Sequence, residues 1–473
     1  AAEAATKASE RAKNIRDTEG TVQAPRFTGK VFDAETARIL EESLNPSFNQ
    51  ALRSVNQFNS VSRYFMLAGD VSPFTIQLLF MGYRHPISFG KAIGGFVNAL
   101  RSTRFQAKYL AKPENQAIME KYPNLILLKG GTTEFTEAMG PGGVLARGQA
   151  LLPEGESALK QAALLGPRGF TKTVGTVTTP FARGFEGAMD VAGIEMAKSL
   201  DHLGTTPARI DDLTQYINKM RGVTSSARLG VSKRHQQVET AALLAPRYTR
   251  AITALLFDVV HGGLSGKLAR EAMAAGVAGI AATTVAISYA MGESEEEIID
   301  HLTPTHPTFL TWRIADQNIG PGTKVRSIVR LFALSASDPN KLRDRSLGWG
   351  DLEYMKNPLL KFYRAQSSPA VSLSWDLLTG KDYIGDPTTD DVLSMSETVA
   401  KRFMYIWAQT MAFEGGNPIG RIQRGTAEFA GLRAYPRNRI WEATDLWRPD
   451  LKAYEDIPTD PLERITKGSP YSR

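Results

Sequence analysis

The chain has 473 residues, 42% hydrophobic and 22% charged, which excludes wholesale disorder and leaves room for two or three domains or one elongated helical body. It holds no cysteine, so disulfides and thiolate metal sites are excluded. A formal net charge of +7 suits an anionic partner, either nucleic acid or a lipid surface.

Residues 1–45 are mostly polar, with Ala-rich helical patches around 3–13 and 34–44, and read as an arm. The opening sixteen residues alternate Ala, Lys, Glu and Arg without an apolar core, so no secretory signal is expected there. From residue 46 a helical domain is expected to reach 126. Phe48, Leu52, Val55, Phe58, Val61 and Phe65 recur at helical spacing. Gly69-Asp70 breaks that helix, and Ser72-Pro73 starts another with a capping residue followed by Pro. Residues 74–83 are apolar nearly all round and should be buried. After the His85-Pro86 corner a helix is expected over 87–109, with Gly94-Gly95 permitting a bend or a close contact.

The stretch 127–205 reads as a Gly/Pro/Thr-rich linker or insertion. Glycines and prolines crowd 127–157, and 166–184 suggests a short strand or an extended arm. A central helical domain follows over 206–300. Its first helix spans 207–221, with Thr206 as cap, Gly222 as stop, and Ile210, Leu213, Ile217 and Met220 as the buried stripe. Lys219, Arg221, Arg228, Lys233, Arg234, Arg247 and Arg250 then stand against one acid, Glu239; seven minus one is +6. A solvated face and a contact with DNA or anionic lipid are both open readings of this cluster.

The longest charge-free run, 272–292, follows Lys267 and Arg270 and precedes Glu293, Glu295, Glu296 and Glu297. As one helix it would be about 31 Å long, close to the hydrocarbon thickness of a bilayer. The flanking charges would leave its N-terminal end cytoplasmic. Its composition favours the other reading, a buried helix packed through small residues, because Val277, Ile280, Val285 and Ile287 alone insert strongly. Met273, Gly276, Val277, Ile280, Thr284, Ile287 and Met291 are its expected membrane-facing or subunit-packing positions.

A C-terminal helical domain is expected over 301–413. It opens with an irregular Pro/Gly stretch, 303–323, and continues through a basic-apolar segment, 324–334, and a polar loop, 336–358. Helix is expected on both sides of Pro369, ending at Thr379-Gly380-Lys381, and then over 392–413 with Val399, Phe403, Ile406, Trp407 and Thr410 on one side. Residues 414–473 read as an extended arm that clasps a neighbour. The expected class is mainly α, an elongated multi-helix body with long Pro/Gly-rich loops and extended terminal arms.

No catalytic constellation stands out. Gly266-Lys267 is followed by Leu268 and lacks the first glycine of a phosphate-binding loop. Ser88 and Lys91 fit a Ser-x-x-Lys pattern without its companion motifs. His301 and His306 are the closest histidines, but Pro304 between them prevents one-turn helical presentation. No enzyme, cofactor or metal ion is therefore expected.

Four passages carry a family likeness: 53–98, including GDVSPFTIQLLFMGYRHPISFGKA; AALLAPRYTRAITALLFDVV, with Pro246 and Arg247, and Arg270 downstream; DQNIGPGTKVRSIVRLFAL; and SPAVSLSWDLLTGKDYIGDP. Together, over 50–110 and 210–390, they resemble the C-terminal, non-enzymatic region of the large polyvalent proteins of tailed phages and their virion relatives, the internal or ejection proteins. No attached peptidase, transglycosylase, helicase or polymerase signature is present, and 111–205 carries no likeness. The resemblance implies a virion protein held in the capsid near the portal or tail and ejected with the genome. Its partners would be further copies of itself, other virion proteins, phage DNA and the host inner membrane, where it would help form a conduit across the periplasm. The rival readings are a DNA-binding structural module, a polyvalent-protein enzyme with an unrecognised centre, and an ordinary membrane protein with a single span.

Overall fold

The computed structural model describes residues 19–21, 31–33, 35–37, 40, 50–67, 71–128, 167–224, 229, 231, 233–315, 317–343, 357–382, 388–414 and 417–436. The fold is mainly α. In the N-terminal half, a two-stranded antiparallel pair, β1 (Glu19–Thr21) and β2 (Val31–Asp33), precedes α1 (Gln50–Leu67), α2 (Ser72–Arg84), α3 (Pro86–Arg101), α4 (Phe105–Leu110) and α5 (Pro113–Lys121). Next come α6 (Pro167–Leu200), α7 (Pro207–Met220), α8 (Lys233–Ala242), α9 (Pro246–Val260), α10 (Gly263–Ala290) and α11 (Glu295–Leu302). The C-terminal part holds β3 (Trp312–Ile314), β4 (Gln317–Pro321), α12 (Lys324–Ser337), α13 (Pro358–Gln366), α14 (Pro369–Thr379), α15 (Val392–Lys401), α16 (Ile406–Phe413), α17 (Pro418–Phe429) and β5 (Leu432–Pro436).

Helix starts follow local chemistry. The Thr206 side chain accepts from Arg209 N, and Pro207 occupies a position where a helix needs no N–H. Gly222, at φ +73°, ends the same helix. Ser368 and Gly380, the latter at φ +71°, bracket α14 in the same manner.

One core draws on residues far apart in the chain: Leu78, Phe96, Met189, Ile217, Leu255, Ile280 and Val325. The expected boundaries near 126, 205 and 300 thus do not separate independent cores. A smaller cluster of Trp312, Ile319, Ala427 and Ala434 sits on the sheet β3-β4-β5, which is antiparallel throughout, with Trp312 opposite Ile319 and Ile319 opposite Ala434.

Several expectations are corrected. The segment 166–184 is neither strand nor extended arm: it opens the 34-residue α6, which runs through Pro180 and whose Ala188, Met189, Ile194 and Met196 are wholly buried. Packing decides this against the Thr-rich composition. Gly187 lies so close to Ala99 of α3 that a β-carbon on it would stand 2.6 Å from Ala99 Cβ. The helix expected over 87–109 stops at Arg101, because Ser102 is extended (φ −139°) and Arg183 binds the terminal carbonyls of Ala99 and Leu100 at 2.6 and 2.7 Å. The 392–413 helix is two helices, α15 and α16. The irregular stretch 303–323 contributes two strands to the sheet. The arm expected from 414 begins instead as α17, capped by Asn417, and continues into β5. Readings on 3–13, 127–157 beyond residue 128, and the chain after 436 fall outside the described residues.

Candidate functional site

The central helix α10 has two unlike faces. Leu268, Ala272, Gly276, Ile280, Thr284 and Ser288 recur every fourth residue and form the buried stripe. Two glycines let α2 approach. A β-carbon on Gly276 would stand 2.0 Å from the Phe80 ring, and one on Gly279 would stand 2.1 Å from Tyr83. Tyr83 also bonds Thr283, oxygen to oxygen at 3.0 Å.

On the opposite face Ala274, Val277, Ala278, Ala282, Ala286 and Tyr289 are exposed. Among the described residues α10 is the one helix long and apolar enough to cross a bilayer, and only 33% of its most apolar window is buried. Elements packed against it add exposed apolar side chains: Phe257 and Val260 from α9, at 61% and 77% exposure, and Ile299 from α11 at 62%.

Of the helix positions singled out from sequence, Gly276, Ile280 and Thr284 are spent on contacts within the chain, Met273 and Ile287 are half-buried, and Val277 and Met291 face outward. Most of the expected positions therefore lie on the side turned into the chain, and the outward face is on nearly the opposite side of the helix. The alternation of Ala on both sides carries no signal that tells them apart.

The far end of α10 is locked. Gly292 (φ +76°) ends it, and Ser294 and Glu297 form a reciprocal cap that starts α11. Glu293, nearly buried, lies 3.0 Å from His301 Nε2, while His301 Nδ1 is 3.1 Å from the Thr308 carbonyl. Both ring nitrogens of His301 thus already face protein oxygens. Among the described residues no group of three or more His, Asp or Glu is arranged to hold a metal ion.

Of the four basic residues of this segment whose side chains are described, three are turned inward, a correction to their reading as one contact surface. Arg221 is completely buried and donates to Met189 O, Ile126 O and Asn218 Oδ1 at 2.7–2.8 Å. Burial pushes its guanidinium down to about 10. Lys219 pairs with Asp258 at 2.6 Å and Arg250 with Glu239 at 3.0 Å, each with a side chain 12% exposed. Arg247 alone of the seven is described as exposed; Arg228 and the side chains of Lys233 and Arg234 lie outside the described residues. Positive charge in a sequence reports nothing about which side of a helix carries it. Here Lys219 and Arg250 are taken up by tertiary ion pairs and Arg221 by neutral acceptors.

A cavity of about 330 Å³ with several charged residues in its lining lies among α13, α14, α15, α16 and α17. The buried Asp376 is held between Arg364, at 3.0 Å, and Arg402; burial pushes its carboxyl up while the two guanidinium groups oppose the shift. Across the cavity Thr410 Oγ1 donates to Glu428 at 2.5 Å, and Arg424 binds Glu414 at 2.8 Å. Burial pushes Glu428 up to about 7, with the neighbouring Glu414 adding to the shift. Sequence reading missed this cluster, which is assembled from residues spread over 364–433 with no local motif.

No family model, curated protein or solved structure matches this chain.

Proposed function

We propose that this chain is a non-catalytic assembly subunit: an internal virion protein of a tailed phage, carried near the portal or tail and ejected with the genome. There it joins other copies and other ejection proteins in a conduit through the host periplasm and inner membrane. The observation that supports this reading best is the outward face of α10, a charge-free apolar surface with further exposed apolar side chains on the helices beside it. The family likeness over 50–110 and 210–390 supplies the phage setting, and the physics supplies the need for a partner. Burying such a face against an identical neighbour removes apolar area from water at about 25 cal/mol per Å².

Sedimentation of the purified chain, alone and with vesicles of mixed neutral and anionic lipid, tests the proposal. Self-association or vesicle binding is expected, and Ala278→Lys/Ala282→Lys is expected to abolish it. A chain that stays monomeric at high concentration and ignores vesicles would overturn the assembly role. Association unaffected by the two lysines would remove α10 from it.

A further inference from the structure

The described structure leaves a second basic surface free, away from the segment that sequence alone singled out. Residues 85–113 contain Lys91, Arg101, Arg104, Lys108 and Lys112 and no acidic residue. All five are exposed. Lys91 is paired with Glu195 at 2.6 Å, whereas Arg101, Arg104, Lys108 and Lys112 have no ion-pair partner among the described residues. Lys112 lies over the Tyr109 ring, 5.7 Å from its centroid, a contact that holds the ammonium without neutralising it.

Lys91 and Lys112 line a groove, and the exposed Arg104 and Lys108 directly precede its lining residues Phe105 and Tyr109 in the chain. A cavity of about 380 Å³ opens between α3, α4, α5 and α6, with Lys91, Asn98, Tyr109, Lys112 and Lys198 among its walls. Glu195 lies at 7% exposure beneath it and is satisfied by Lys91 at 2.6 Å, Lys198 at 3.1 Å and the Tyr109 hydroxyl at 2.7 Å. Glu114 is the other carboxylate in the lining. In the lining Lys91, Lys112 and Lys198 stand against Glu114 and Glu195, an excess of one, and Arg104 and Lys108, each next in the chain to a lining residue, raise it to three. Phe105 and Tyr109 stack on each other at 5.9 Å along one wall.

We infer that this groove binds the phosphodiester backbone of a nucleic acid. Charge complementarity selects a polyanion, and concavity selects among polyanions. A projecting backbone lays successive phosphates along Arg104, Lys108 and Lys112 at the rim while its sugars and bases enter the groove beside Phe105 and Tyr109, where a planar bilayer has nothing to insert. Asn98 and the aromatic pair add polar and stacking contacts of the kind that accompany sequence-tolerant binding. This inference is independent of the role proposed for α10.

The test uses the full chain and fluorescently labelled 20-mers, one duplex and one single strand, in anisotropy titrations from 50 to 300 mM salt. The variant R104A/K108A/K112A removes three exposed cations without ion-pair partners, and R209A/K267A/R343A removes the same charge elsewhere. At about 0.1 M salt the first variant is expected to bind at least ten-fold more weakly, with its log–log salt slope reduced by about 2.7, roughly 0.9 per lost phosphate contact. The second is expected to stay within about three-fold of the wild type. Circular dichroism melts confirm that both remain folded. Absence of binding by the wild type at 50 mM salt, or equal losses in the two variants, would overturn the assignment. It would also be overturned if the first variant lost binding to anionic vesicles while keeping its affinity for both oligonucleotides. Preference for duplex or single strand identifies which nucleic acid the groove accepts.

Discussion

The two faces of α10 can be separated by substitution. Gly276→Ala/Gly279→Ala places methyl groups where Phe80 and Tyr83 now lie, at 2.0 and 2.1 Å from the nearest ring carbons. Phe80 is 5% exposed and packed in the core, so its ring has nowhere to swing, and α2 and α10 must move apart. Overpacking of this kind costs about 1–3 kcal/mol per site. Replacing Gly by Ala inside a helix returns about 1 kcal/mol at each site. The two sites share α2 and will not add simply, so the double variant is expected to lose about 2–3 kcal/mol. On the outward face, Ala278→Lys/Ala282→Lys meets solvent and loses only a few tenths of a kcal/mol per site in helix propensity. Urea unfolding followed by circular dichroism, at concentrations low enough to keep the chain monomeric, measures both. Equal stability of the glycine variant and the wild type would refute the close approach of α2. A loss above about 1.5 kcal/mol for the lysine variant would show that the outward face is covered within the chain.

Glu428→Gln isolates a pH effect. The folded protein holds this proton up to about pH 7 against an ordinary glutamate value of 4.5, so the folded state binds it more tightly than the unfolded state between those values. The sign follows: stability from this group is fully present below about pH 4.5, declines as pH rises toward 7, and is flat above, a total of up to about 3 kcal/mol. Urea midpoints at pH 5 and pH 8 are expected to converge in the variant relative to the wild type, and an unchanged difference would show that Glu428 ionises freely. Arg221→Met is expected to destabilise by about 3 kcal/mol, because two backbone carbonyls and Asn218 Oδ1 lose a charged donor and the wholly buried Asp190 loses a nearby positive charge. The same unfolding assay reads it, and a loss under 1 kcal/mol would show that these acceptors find other donors.

Much of the secondary structure was legible in local chemistry. The Thr206-Pro207 and Ser368-Pro369 starts and the Gly222 and Gly380 stops appear where the residues announce them. Asn417-Pro418 carries the same signal, and its Asn side chain accepts from Gly420 N at 2.6 Å, yet the Arg- and Pro-rich composition around it suggests an arm. A cap and a proline act on one turn of helix and are therefore better guides than composition averaged over sixty residues. The opposite failure is α6. Its Thr- and Gly-rich opening favours extended backbone locally, and the helix exists because α3 accepts Gly184, Gly187 and Val191 at close range.

The sequence by itself determined that the chain is mainly helical, where helices such as α7 and α14 begin and end, that it has no thiol chemistry, and that one long stretch carries no charge. Tertiary structure alone decided which charges face water. Arg221 and Arg101 are the same residue type at comparable helix ends, but Arg221 lies beneath Gly193 and is wholly buried, whereas Arg101 is exposed. It also decided which side of α10 is spent on α2 and which is exposed. The reason is physical: helix formation depends on contacts within about four residues of sequence, while burial and ion pairing depend on segments brought together from up to hundreds of residues away.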